Sequence, residues 1–133
     1  MILIADLESI AKKFGDILGA EASTEEGMGA VEKERDLDVT VQGRPFKSEL
    51  SMEIHFEALE DDGTALNHAE IVLLPEEIPD FTRALGKNDL TITALHNHWL
   101  FAEPSIKYLH VQSVEEPEEF ARKLAEAIKV LKV

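Results

Sequence analysis

The chain has 133 residues and a formal net charge of -14, from 27 acidic and 13 basic side chains. That length suits a single domain over residues 1–133, able to bury a core without covalent staples. It has no cysteine, which excludes disulfides, thiolate nucleophiles, iron–sulfur clusters and cysteine-bound zinc. Any metal must be held by His, Asp, Glu, carbonyls or water. An acidic surface repels phosphate backbones and anionic lipid, so no nucleic-acid and no membrane partner is expected. The opening Met1-Ile2-Leu3-Ile4-Ala5 runs into Asp6 and Glu8 with neither a basic leader nor a long apolar run, so the expected location is cytoplasmic.

Leu7, Ile10, Ala11, Phe14, Ile17 and Leu18 recur at helical spacing and predict a helix over residues 5–18, stopped at Gly19. Residues 20–29 lack periodicity and read as a loop. Gly29 to Arg35 reads as a weak, charged strand. Leu37, Val39 and Val41 alternate with polar residues in a half-buried strand that ends at a Gly43-Arg44-Pro45 turn. Leu50, Met52, Ile54, Phe56 and Ala58 alternate with Ser51, Glu53, His55 and Glu57, the cleanest period-2 segment of the chain. Asp61-Asp62-Gly63 is a turn, and Ala69 to Leu74 a short apolar strand. Pro75-Glu76-Glu77 opens a second helix that reaches residue 87 on the stripe Ile78, Phe81 and Leu85. A long strand over residues 90–101 turns at Ala102–Ser105 and returns from Ile106 to Gln112. The last helix, residues 115–131, is carried by Phe120, Leu124, Ala127, Ile128 and Leu131. The order predicts an α+β fold: an antiparallel sheet with helices packed on one face, two layers, its tail partly ferredoxin-like.

Three of the five histidines, His96, His98 and His110, fall within fifteen positions. Strand alternation puts His96 and His98 on one face. If His98 pairs with Tyr108, His96 opposes His110, with Cβ atoms about 4.5–5.5 Å apart. Three convergent imidazoles suit a divalent transition metal such as zinc, manganese, nickel or iron, with an open position for water or substrate. A metal-free polar pocket and a structural cluster are the other readings, and a one-residue slip would throw His110 to the opposite face. Glu103 and His68 are the candidate bases, although Glu103 also reads as a turn residue and His68 as a loop histidine. His55, between Glu53 and Glu57, reads as part of a solvated face. Arg35 and Arg44 read as exposed ion pairs or anion binders, and Trp99 and Phe101 as core or interface aromatics. There is no Gly-rich phosphate loop, G-x-S-x-G elbow or H-E-x-x-H helix. Three functions follow: a metal-dependent enzyme or metal-binding domain, a domain that binds a small-molecule ligand without chemistry, and a homodimeric interaction module.

Thr91-Ile92-Thr93-Ala94-Leu95-His96-Asn97-His98, Glu103-Pro104 and Tyr108-Leu109-His110 together resemble the signature of the LppY/LpqO-like family, a domain of unknown function. Upstream, Arg35-Asp36-Leu37-Asp38-Val39-Thr40-Val41-Gln42-Gly43 and Glu70-Ile71-Val72-Leu73-Leu74 are similar to two further segments of it. The resemblance implies that His96, His98, Glu103 and His110 form the characteristic set, and it implies no activity. Two departures stand out. Leu50-Ser51-Met52-Glu53 occupies the place where the family often has Gly-Ser-Trp. His68-Ala69-Glu70 stands where the family often has Gly before its acidic residue, which makes His68 an added polar group. The H-x-H-x4-E spacing also matches the metal motif of cupins; those are all-β jelly rolls, and the likeness is confined to spacing.

Overall fold

A computed structural model describes residues 4–131. The sequence reading of Met1–Leu3 therefore lies outside the described residues. Helix α1 (Ile4–Leu18) forms where the periodicity predicts it and buries Leu7, Ala11, Phe14 and Leu18. It stops at Gly19, whose φ of +76° suits the residue without a side chain. The stretch 20–29 is not a loop. Strands β1 (Ala22–Glu25) and β2 (Met28–Glu34) pair around Glu26 and Gly27, both at positive φ. A two-residue turn of that kind matches the twist of a hairpin. β3 (Val39–Val41) and β4 (Arg44–Phe46) repeat the device around Gln42 and Gly43, so Arg44 and Pro45 belong to a strand and not to the turn.

β5 (Ser51–Glu57) and β6 (Ala65–Leu73) follow. A 3-10 turn at Pro75–Glu77 leads into α2 (Ile78–Lys87). β7 (Thr91–His96), β8 (Ala102–Glu103), β9 (Lys107–Glu115) and α3 (Pro117–Ile128) complete the order. The fold is α+β, with antiparallel pairing throughout: a six-stranded sheet β1-β2-β5-β6-β9-β7 and a three-stranded sheet β4-β3-β8. β6 and β7 flank β9, each antiparallel to it, and are joined through α2. That is the split strand–helix–strand unit of a ferredoxin-like tail.

The helices pack on one face of the large sheet. Met52, Ile54, Phe56, Ala69, Ile71, Leu109 and Val111 meet Phe14, Phe81, Phe120 and Leu124 in one apolar core. The small sheet covers part of the opposite face, where Val39, Phe46, Leu50, Val72, Ile106 and Tyr108 form a second core. The two-layer expectation thus holds on the helix side, while the unpredicted small sheet adds cover on the other. Among the described residues no helix is long and apolar enough to cross a membrane.

The largest difference from the sequence reading lies in residues 90–101. The strand ends at His96, and Phe101 adopts a left-handed φ of +63°. Ala102 and Glu103 then pair with Val41 and Thr40 instead of turning back on β7. His96 opposes Tyr108 and Ala94 opposes His110, with a bulge between Ile92 and Ala94. The register is shifted by two residues from the expected His98–Tyr108 pairing. An even shift keeps every side chain on its face, so the histidines still converge.

Candidate metal centre

The uncovered part of the second face is read in rows across the strands. Glu32, Glu53, Glu70 and His110 are directly opposed in sequence from β2 to β9. His55, His68 and Gln112 form the next row. His98 lies outside the strands and is drawn back over this face by its ring, which stacks on Tyr108 at 3.9 Å and 12°. All five histidines thereby make a continuous chain of imidazoles. Centroid separations are 5.4 Å for His55–His68, 5.2 Å for His68–His110, 5.1 Å for His110–His96 and 4.8 Å for His96–His98.

His96, His98 and His110 have ligand atoms all within 4.8 Å of one another, a grouping that could hold one ion once the rings draw inward to metal–nitrogen bonds of about 2.0–2.1 Å. Their hydrogen bonds indicate which nitrogens face the shared point. His98 Nδ1 lies 3.0 Å from Glu49 Oε2, and His96 Nδ1 lies 3.4 Å from the Asn97 carbonyl. A carboxylate or a carbonyl only accepts, so Nδ1 is the donor in each ring, and in the neutral imidazole Nε2 then keeps its lone pair. His98 Nε2 is 4.0 Å from Glu70 Oε2, and His110 Nε2 is 3.1 Å from that same oxygen. Glu70 therefore adds a carboxylate beside the three imidazoles. The site is half-open, with side-chain exposures of 26% for His98, 19% for His110 and 22% for Glu70.

Its surroundings are stiff and acidic. Glu49 accepts from His98 Nδ1 and from Trp99 Nε1 at 3.0 Å each, while its own carbonyl accepts the Tyr108 hydroxyl at 2.9 Å. Burial, with Glu49 and Glu70 nearby, pushes the Tyr108 phenol well above its ordinary value, so it stays a neutral donor. Burial lowers His68, helped by His55 and His110, which favours its neutral form. Burial and then the carboxylates Glu70, Glu32 and Glu49 raise Glu53.

The other sequence candidates are distributed as follows. His68 is on β6, not in a loop, with Nε2 3.2 Å from His110 Nδ1. His55 is half-buried, 3.2 Å from Glu57 Oε1. Glu103 is exposed on β8 opposite Thr40, across a cis peptide bond from Pro104, and is not in the three-histidine group. Arg35 is no exposed cation: it is 3% exposed, donates both Nη groups to the Glu77 carboxylate at 2.8 Å each, and donates Nη1 to the Val72 carbonyl at 2.9 Å. Arg44 is exposed. Trp99 and Phe101 are not core, at 40% and 73% exposure, although Trp99 lies edge-on to Phe46. Sequence reasoning missed Glu70 and Glu49. Glu70 lies inside the strand predicted over Ala69–Leu74, and extending that strand upstream to His68 puts the two on one face by period-2 alternation. Glu49 has no such signal, because its contact spans 49 positions.

A family model described as Domain of Unknown Function (DUF1259) matches residues 12–130. No curated protein and no solved structure matches the chain.

Proposed function

The chain belongs to the family of that domain of unknown function, and from this premise we propose that it binds a divalent transition metal through Nε2 of His96, His98 and His110. The observation that carries the reading is the approach of three ligand atoms to within 4.8 Å of one another. Glu70 and the opposed carboxylates Glu53 and Glu32 support it. Like charges directly opposed across a sheet are unfavourable, and a cation on the same face relieves them. Three imidazoles with one open position suit zinc, manganese, nickel or iron. An ion held there would lower the pKa of bound water toward neutrality and polarise a substrate oxygen, so the activity we favour is a metal-dependent hydrolase or a related enzyme. Glu103 is the proposed base, with Glu103→Gln expected to lower turnover once a substrate is found. Within the family we read the chain as LppY/LpqO-like, on the histidine segment and on Tyr108-Leu109-His110.

The test is a metal census on untagged protein together with thermal unfolding. At a hundredfold excess over its dissociation constant, a ligand that binds only the native state adds about 2.7 kcal/mol. Zinc, manganese, nickel or iron should raise the melting temperature of wild type at neutral pH. The His96→Ala plus His98→Ala variant should stay folded and lose that response. Protein without metal as purified, and with no shift on adding any of the four, would defeat the reading. A second reading, a homodimer or ligand-binding module, is favoured by the exposed Leu95, Trp99, Leu100 and Phe101 beside β7. Solution mass by light scattering tests the dimer.

A further inference from the structure

We propose that His68 is a positioning residue for the metal-binding reading above, holding His110 in the tautomer that can ligate. The geometry around His110 differs from that around the other two rings. His96 and His98 already point Nδ1 at an obligate acceptor and keep Nε2 bare. His110 instead has Nε2 3.1 Å from the Glu70 carboxylate, which only accepts, so the metal-free ring carries its proton on Nε2. Its Nδ1 then accepts from Nε2–H of His68, 3.2 Å away.

Ligation through His110 Nε2 requires the opposite arrangement. The proton of His110 moves from Nε2 to Nδ1, and Nδ1–H needs an acceptor. Among the described residues, His68 Nε2 is the group within hydrogen-bond distance of Nδ1, at 3.2 Å. So the proton of His68 moves from Nε2 to its own Nδ1, and the hydrogen bond between the rings reverses. The exchange is written for two neutral imidazoles. Each keeps one proton, and none is released to solvent. Metal-bound histidines generally donate their other N–H to a fixed acceptor, and loss of that acceptor typically weakens the metal by 10–100-fold. In this chain the acceptor is a second histidine, the one group among the described residues in contact with His110 Nδ1 that can serve as donor in one state and acceptor in the other.

Zinc is the probe. Its affinity is measured by calorimetry for wild type, His68→Leu and His68→Gln, and the imidazole nitrogens are followed by 15N NMR as zinc is added. His68→Leu should bind about 10–100-fold more weakly. His68→Gln, whose side-chain oxygen reaches the position of Nε2, should recover most of that loss. In wild type, zinc should turn the Nε2 resonance of His68 from protonated to bare and its Nδ1 from bare to protonated. A His68→Leu variant with wild-type affinity, or a His68 tautomer unchanged by zinc, overturns the proposal while leaving the metal site standing. Wild type that takes up no zinc removes both. Circular dichroism establishes that each variant is folded, and the NMR readout on wild type needs no substitution.

Discussion

At the residue scale, the ion pair between Arg35 and Glu77 ties two distant segments of the chain together. Arg35 follows a run of charged residues and looks exposed, yet it is buried against Glu77, 42 positions away. That carboxylate also accepts the Leu74 amide at 2.9 Å, so the pair fixes the 3-10 turn to the end of β2. Removing one partner of a buried pair strands the other. Arg35→Ala should therefore cost about 3–5 kcal/mol in urea unfolding, and Arg35→Lys should restore little of it because an ammonium cannot fill the two-pronged contact. Glu53 makes a prediction of the opposite sign. Its raised proton affinity means that the native state binds more protons than the unfolded chain, so its contribution weakens stability as pH rises through the carboxylate range. Glu53→Gln should raise the melting temperature at neutral pH in chelator, and that gain should vanish as pH falls below the range. A gain independent of pH would point to packing instead. The histidines show the same division between local and distant causes. His96 and His110 were legible from strand alternation, but His98 reaches the group through Tyr108 and Glu49, contacts that no local pattern contains.

At the element scale, long periodic segments were readable and short polar ones were not. α1, α3 and β5 each bury a regular stripe, and they lie close to where the pattern puts them. β1, with the sequence Ala-Ser-Thr-Glu, has little apolar content and exists because it is hydrogen-bonded to β2. β8 is two residues long and is defined by its pairing with β3. The overlong strand at 90–101 failed for a related reason: its apolar run Trp99-Leu100-Phe101 looks like continued strand, whereas those side chains are exposed after the chain has left the sheet. The weak strand β2 hides its main determinant in Gly29. Gly29 is opposed to Phe56, and a Cβ there would overlap the Phe56 ring, which itself packs edge-on against Phe14 at 5.1 Å. Gly29→Ala should destabilise by about 1–3 kcal/mol, as overpacking does, when measured by chemical unfolding. A neutral result would mean that the ring can rotate away without loss.

At the scale of the whole molecule, a net charge of -14 on 133 residues sets the electrostatic background. Self-repulsion of that size is screened by salt, with a Debye length of about 30 Å at 0.01 M and about 8 Å at 0.15 M. Sodium chloride over that range should raise the melting temperature of both wild type and the His96→Ala plus His98→Ala variant. A divalent metal at fixed ionic strength should act on wild type alone, which separates screening from site binding. The position of β7 has a kinetic consequence. It is the last strand of the six, held laterally by β9 alone, and it carries His96 while β9 carries His110. Edge strands open locally at less than the global unfolding free energy, and their backbone amides exchange with solvent through those openings. Each opening of β7 would pull His96 away from His110. An ion shared between them acts as a clasp on the sheet's rim, and it should slow amide exchange along residues 91–96 by about a hundredfold at a hundredfold excess over its dissociation constant. Amides of β5, deep in the same sheet, should be far less affected, so hydrogen exchange mapped strand by strand would report the clasp without any substrate in hand.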